Sequence, residues 1–190
     1  MTAPTAPRNL HPTDSTAALT RTDERRGVAS WMFPAAGVLR ILTGFVFLWA
    51  FFDKLFGLGV GTEPGKSVLN GGSPTTRFLT HAVPAGNPLT GVWNALVSIN
   101  PFTDILFMAG LLGIGAALML GIGMKVATIS GVAMYLFMAL AAYPFGTNPF
   151  VDDHVLMALV LIVLLGVGAQ DHLGFGRKWA QIVGEDSWLR

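Results

Sequence analysis

"RILTGFVFLWAFFDKLFG", residues 40–57, is the stretch that decides the fold. Its apolar run, Ile41 to Phe52, is preceded by Arg40 and followed by Asp53 and Lys54. At about 1.5 Å per residue, this run covers only about 18 Å of helix. It therefore crosses a bilayer only as part of a longer helix, about residues 33–58, which places the three charges at membrane depth, where charge is costly.

The composition of the whole chain favours a membrane protein. Of 190 residues, 52% are hydrophobic and 12% are charged, whereas soluble domains have about 25% charged residues. A soluble fold would need several helices that are apolar nearly all round, with little polar face for water. We therefore predict an all-α membrane protein, a bundle of four transmembrane helices with spans at about residues 33–58, 104–124, 126–143 and 153–170.

Several classes of chemistry are excluded or unsupported by composition. The chain has no cysteine, which excludes disulfides, thiolate metal sites, iron–sulfur ligation and thiol catalysis. The net charge of +1 gives no indication of a nucleic-acid partner. The four histidines are too widely spaced for a zinc motif, so we predict no metal site and no covalently bound cofactor.

The distribution of Lys and Arg predicts the orientation. Eight of these residues lie in the N-terminal arm, in the turn at Lys125 and in the tail, whereas the external loop, residues 59–101, has two. Positive residues favour the cytoplasmic side, so both termini are predicted to be cytoplasmic. Residues 1–30 lack the apolar run of a signal peptide and are predicted to form a disordered cytoplasmic arm. The transmembrane domain is then residues 31–176, followed by a cytoplasmic tail, residues 177–190.

Two weaker patterns concern packing. In the second half of the external loop, Leu89, Val92, Trp93 and Leu96 have the spacing of a short amphipathic helix on the outer surface, with a plain loop as the alternative. Its tryptophan suits the membrane interface, and the Gly-, Pro- and Ser-rich first half is predicted to be irregular. In the second span, small residues recur every four positions, at Ala109, Gly113, Ala117 and Gly121. Such a stripe serves either internal helix packing or a homo-oligomer face.

The predicted topology gathers the polar residues of the bundle into two layers. The inner layer holds Arg40, Lys125, Asp171 and His172. The outer layer, near the external interface, holds Asp53, Lys54, Asp104, Asp152, Asp153 and His154.

Each charge in these layers has a structural and a functional interpretation. Lys54 pairs with an acid of the outer layer or belongs to a ligand or proton site. Asp104 and Asp152 start helices, where an acid suits the positive helix end. His154 changes charge near neutral pH and is either a satisfied interfacial histidine or a group that exchanges a proton or hydrogen bond with a quinone oxygen. Arg40 either snorkels to the cytoplasmic face or contacts an acidic or quinone head group.

Three segments together resemble the DoxX/DoxD family of small bacterial membrane proteins. They are the opening stretch, "GIGAALMLGIGMKVATISG" and "NPFVDDHVLMALVLIVLLGVG". The resemblance covers about residues 35–175 and implies a four-helix bundle in the bacterial plasma membrane and quinone-linked redox work. One difference is in "GLLGIG", Gly110–Gly115, where Leu111 stands in place of a Glu that many members have.

By this resemblance we expect a quinone-associated or docking subunit of a membrane oxidoreductase, similar to the membrane subunit of thiosulfate:quinone oxidoreductase. The redox centre would then be on a partner protein, because no residue set here holds electrons. The quinone or proton site residues would be Arg40, Asp53, Lys54, Asp104, Asp152, Asp153 and His154. Alternatives are a non-enzymatic membrane scaffold or assembly factor and a small solute transporter, and enzymatic activity of the chain alone is left open.

Overall fold

The computed structural model describes residues 12–146 and 148–190, with side chains described from Ser30 onward. All regular secondary structure in these residues is helical. Two short 3₁₀ turns, Val68–Asn70 and Ala169–Asp171, accompany seven α-helices. The helices are α1 (Pro12–Phe56), α2 (Pro74–Ala82), α3 (Thr90–Ser98), α4 (Phe102–Leu120), α5 (Met124–Ala142), α6 (Asp153–Gly166) and α7 (Gly176–Val183).

Three helices in the described residues are long and apolar enough to cross a membrane. They are the Ser30–Phe56 part of α1, with 27 residues, and α4 and α5, with 19 each. The fourth predicted span is shorter than expected, because α6 has 14 residues and covers about 21 Å. It ends at Gly166 rather than at residue 170, and Gly168 then takes the left-handed φ of 67° that begins the 3₁₀ turn.

The N-terminal arm differs from its prediction as a disordered segment. Helix α1 begins at Pro12 and continues without a break into the membrane-length part, while residues 1–11 of the predicted arm lie outside the described residues. Residues 12–29 include four Thr, three Ala and three Arg. A helix that extends an existing one adds hydrogen bonds without a new nucleation step, so these residues need only modest helix propensity.

Helices α1 and α4 cross at two glycines. A Cβ added at Gly44 would lie 2.8 Å from the backbone N of Met119, and one at Gly115 would lie 2.8 Å from Cγ of Leu48. Small residues therefore set the helix separation, as they do in membrane helix bundles. The predicted small-residue stripe is not this contact: a Cβ at Gly113 would meet nothing within 4 Å, because Gly115 lies on a different side of α4.

The external loop contains the predicted short helix and another that the sequence reading missed. Helix α3, Thr90–Ser98, confirms the amphipathic pattern. Helix α2 begins with Ser73 as its N-cap, which accepts from the amide of Thr76, and with Pro74 in its first turn. Trp93 was predicted to face the membrane interface but is 3% exposed. It packs inward because its Nε1 donates to Oδ1 of Asn87, 3.1 Å away.

Candidate functional site

Arg40 is fully buried, and among the described residues its hydrogen-bond partners are all backbone carbonyls. Its Nε donates to the carbonyl of Ala169 at 3.2 Å. The two terminal nitrogens donate to the carbonyls of Leu118, Met119, His172 and Leu173. Both sequence interpretations of Arg40, snorkelling and contact with a head group, are therefore wrong. A side chain with five donors in a planar fork can satisfy this many carbonyls at once.

These contacts make Arg40 the C-terminal cap of α4. The last four carbonyls of a helix have no partner inside it. The amide of Gly121 donates to Ala117, and the amide of Phe175 donates to Leu120 at 2.8 Å. Arg40 satisfies the two carbonyls between them. It thereby ties α1 to the end of α4 and to the chain after α6.

Asp53 and Lys54 lie side by side in sequence but have different surroundings. Asp53 is 3% exposed, and its Oδ1 accepts from the amide of Gly61 at 3.3 Å, which holds the loop against the end of α1. Lys54 is partly buried and, among the described residues, forms no ion pair within 4.0 Å. The predicted pairing of Lys54 with Asp104, Asp152 or Asp153 is therefore wrong.

Asp104 has a structural role that joins two helices. Its Oδ1 accepts from the backbone amide of Thr75 at 2.8 Å, in the first turn of α2. The carboxylate therefore satisfies an unpaired amide at the start of α2, while it also lies in the first turn of its own helix.

Asp152 and His154 form a pair at the start of α6. Oδ1 of Asp152 accepts from the backbone amide of His154 at 2.7 Å and lies 2.6 Å from its Nδ1. These two contacts are the only hydrogen bonds that join two of the seven predicted site residues in the described part of the chain. Asp153, next to them, is exposed. The carboxylate therefore fixes the orientation of the imidazole.

Two aromatic residues that the sequence reading passed over connect this pair to the core. The ring of Tyr135, on α5, lies 6.1 Å from that of His154, and the ring of Phe47, on α1, lies 5.1 Å from Tyr135. Tyr135 is 7% exposed. The signal that marks it in the sequence is a phenol inside an otherwise apolar span.

An apolar cavity lies elsewhere, between α2, α3, α4 and α5. Its volume is about 470 Å³, within the range of about 300–1,000 Å³ typical of small-molecule sites. None of the seven predicted site residues lines it. Leu106 and Phe137, whose side chains are exposed, also line it. Its walls include four small residues on α4 and α5: Ala109, Gly110, Ser130 and Ala133.

The polar end of this cavity is at α2. Thr75 lines it, and the Oγ1 of Thr75 is buried without a hydrogen-bond partner in the described residues. Thr103 also lines the cavity, but its hydroxyl lies 2.6 Å from Oδ1 of Asn100 and is therefore engaged. A buried hydroxyl without a partner loses its hydration without compensation, which a hydrogen-bonding ligand would restore.

A second, polar pocket of about 380 Å³ lies on the external loop. Its rim includes Glu63, which accepts from Lys66 at 2.9 Å and from Arg77 at 3.2 Å. The hydrogen bond from Lys66, followed by the positive charge of Lys66, lowers the pKa of Glu63. Glu63 thus binds both cations, whereas Nη1 of Arg77, which also lines this pocket, is buried without a hydrogen-bond partner among the described residues.

No family model, curated protein or solved structure matches the chain. The resemblance to the DoxX/DoxD family therefore stays a prediction. Within the described residues, no group of three or more His, Asp or Glu side chains could hold a metal ion. The fold and site together define a helical protein with three candidate membrane spans and an apolar cavity between its helices.

Proposed function

We propose that this chain is a multi-pass subunit of a membrane oxidoreductase system that binds a quinone in the cavity between α2, α3, α4 and α5. The observation that carries the proposal is the cavity itself, which is apolar, wide enough for a ring and bordered by exposed side chains of membrane-length helices. Quinones dissolve in the bilayer and present an apolar ring with carbonyl acceptors. The resemblance to the DoxX/DoxD family points to the same ligand class.

The topology proposed for this subunit has four crossings, with both termini cytoplasmic. The support for a fourth crossing is the common anchor of two helix ends: Arg40 binds the carbonyls of Leu118, near the end of α4, and Ala169, just after α6. Helix α6 thus ends on the same side of the bundle as the turn between α4 and α5. Its 14 residues are a short span, which a thinned bilayer or its flanking segments would accommodate.

In the proposed complex, the ring lies between the small residues of α4 and α5, and the Thr75 hydroxyl donates to one quinone carbonyl. This differs from the sequence prediction, in which the head group lay near Lys54 and His154. Quinone contacts by Lys54 and His154 stay a prediction. Two acids of the same predicted site, Asp104 and Asp152, already accept hydrogen bonds from backbone amides at helix starts. Electrons would pass to the quinone from a redox centre on a partner protein.

The test measures quinone in the purified protein. Ala133→Phe places an aromatic ring in the cavity, whereas Leu136→Phe adds a ring on the same helix outside the lining. Organic extraction followed by chromatography gives the quinone retained per chain. We expect the parent and Leu136→Phe proteins to retain quinone and Ala133→Phe to lose most of it, because the ring occupies the ligand volume.

A titration with a short-chain quinone adds a second readout. Trp93 lines the cavity, so a bound quinone should quench its fluorescence, and a Trp93→Phe protein should lose that saturable component. Thr75→Val keeps the side-chain shape and removes the hydroxyl, which should weaken binding about fivefold for a net hydrogen bond of about 1 kcal/mol. Absence of retained quinone and of saturable quenching in the parent protein would refute the proposal.

A non-enzymatic scaffold is the second candidate. The observation in its favour is that Arg40, Asp104 and Asp152 all bind groups of the chain itself, as expected when charges serve only to join helices. A scaffold would bring down its partner proteins from native membranes equally well with Ala133→Phe and with the parent. If the chain is instead a quinone-linked subunit, the complex assembled with Ala133→Phe should no longer reduce quinone.

A further inference from the structure

The segment after α6 places an amphipathic helix at one end of the bundle. In α7, the buried residues Gly176 and Ala180 are four positions apart and face the protein. Phe175 and Ile182, seven positions apart, lie on another side and are 55% and 76% exposed. Trp188, shortly after the helix, is 63% exposed. Large apolar side chains are thus presented outward by a helix that is already attached through its small residues.

The attachment fixes this segment at the end of the membrane-length helices. The amide of Phe175 donates to the carbonyl of Leu120, the last residue of α4, at 2.8 Å. Nζ of Lys125, in the first turn of α5, donates to the carbonyl of Ser187 at 2.9 Å. The exposed apolar residues are therefore held where α4 ends and α5 begins, which is the level at which two candidate spans leave the bilayer.

The polar side of α7 is basic. Arg177 and Lys178 are exposed, and no hydrogen bond or ion pair of either is found among the described residues. Helix α7 itself has no acidic residue. Lys178 lies next to the side that carries Ile182, at about 40° by helical rotation. Arg177 lies at about 140° from Ile182, on the polar side. One basic residue beside an exposed apolar strip and another on the polar side are the pattern of a helix that lies in the surface of an anionic bilayer.

We propose that α7 lies on the lipid surface at this end of the bundle and binds anionic head groups. Phe175 and Ile182 enter the boundary between head groups and acyl chains, while Arg177 and Lys178 contact the lipid phosphates. The partner is thus the same leaflet that surrounds the spans, and its anionic lipids contribute electrostatic attraction to each basic residue. This surface is independent of the quinone cavity, and either proposal can fail alone.

The absence of cysteine from the chain makes the position of α7 measurable with single labels. A nitroxide is attached at Ile182→Cys, and the control label is at Gln181→Cys, on the polar side of the same helix. The protein is placed at one copy per nanodisc, in phosphatidylcholine alone or mixed with phosphatidylglycerol. Collision of the label with oxygen, which enters lipid, and with a water-soluble nickel chelate then reports its depth.

In phosphatidylglycerol discs, we expect the label at residue 182 to be several-fold better protected from nickel than the label at 181. In phosphatidylcholine discs, or after Arg177→Gln with Lys178→Gln, this protection should fall. Equal nickel access at 181 and 182 in the anionic discs overturns the proposal. Protection that does not depend on lipid charge overturns head-group binding. If the label is protected only in parallel discs that hold two copies, the surface serves self-association instead, and the proposal is overturned.

Discussion

Replacement of Arg40 by Met tests the central anchor of the fold. The change keeps a flexible apolar side chain, shorter than that of arginine, and removes every donor, so five carbonyls lose their bonds. Two of these bonds, to Leu118 and Ala169, are fully buried, and the other three are partly buried. Water can compensate the partly buried carbonyls but not the two buried ones.

The expected destabilisation follows from those two carbonyls. A buried polar group left without a partner costs about 1–3 kcal/mol, so the pair costs about 2–6 kcal/mol. For a chain of this size, about 1 kcal/mol lowers the melting temperature by about 2–4 °C, which gives a fall of about 4–24 °C. Arg40→Lys should lie between, because one ammonium cannot reach both α4 and the chain after α6.

The assay is thermal unfolding in a mild detergent, followed by tryptophan fluorescence, at several detergent concentrations. Arg177→Met is the matched control, because Arg177 is exposed on α7 and forms none of these bonds. We expect the control to melt like the parent. An Arg40→Met protein that melts within about 2 °C of the parent would show that the five bonds contribute no net stability and would refute this account.

Two further predictions concern the helix crossing and the external loop. Gly44→Ala places a methyl group 2.8 Å from a backbone nitrogen of α4 and should cost about 1–3 kcal/mol by overpacking, whereas Gly113→Ala meets open space and should not lower the melting temperature. The lowered pKa of Glu63 means that its bonds to Lys66 and Arg77 contribute fully above the unfolded-state pKa and are lost as pH falls through the lower folded-state pKa. The protection of residues 63–77 from hydrogen exchange, taken relative to the intrinsic exchange rate at each pH, should therefore fall as pH drops below the ordinary Glu pKa of about 4.3, and this fall should be absent in Glu63→Gln.

The sequence supports the class of protein and much of its helical layout. Apolar runs predicted the positions of α4 and α5 within a few residues, and the helical spacing around Trp93 predicted α3. These signals are local, because hydrophobicity and periodicity are read from neighbouring residues. The missed helix α2 also had local signals, Ser73 followed by Pro74, but they were hidden in a segment rich in loop residues.

The partners of the charged residues could not be read in the same way. Arg40 binds carbonyls that are 78 to 133 positions away in sequence, and backbone carbonyls are identical at every residue. Asp104 satisfies an amide of α2, a helix that the sequence reading did not include. The cavity has the same origin, since its wall combines four helices and none of them contains a recognisable motif for it.

The sequence by itself determined that this chain is helical, that it has helices of membrane length, and which of its residues carry charge into them. These properties follow from the transfer free energy of each side chain, which adds up along the chain. Only the tertiary structure decided that Arg40 closes the end of α4, that Lys54 forms no ion pair within 4.0 Å among the described residues, and that a cavity opens beside Thr75. Such pairings depend on the relative placement of whole helices, because burial requires each polar group to find a partner wherever packing puts it.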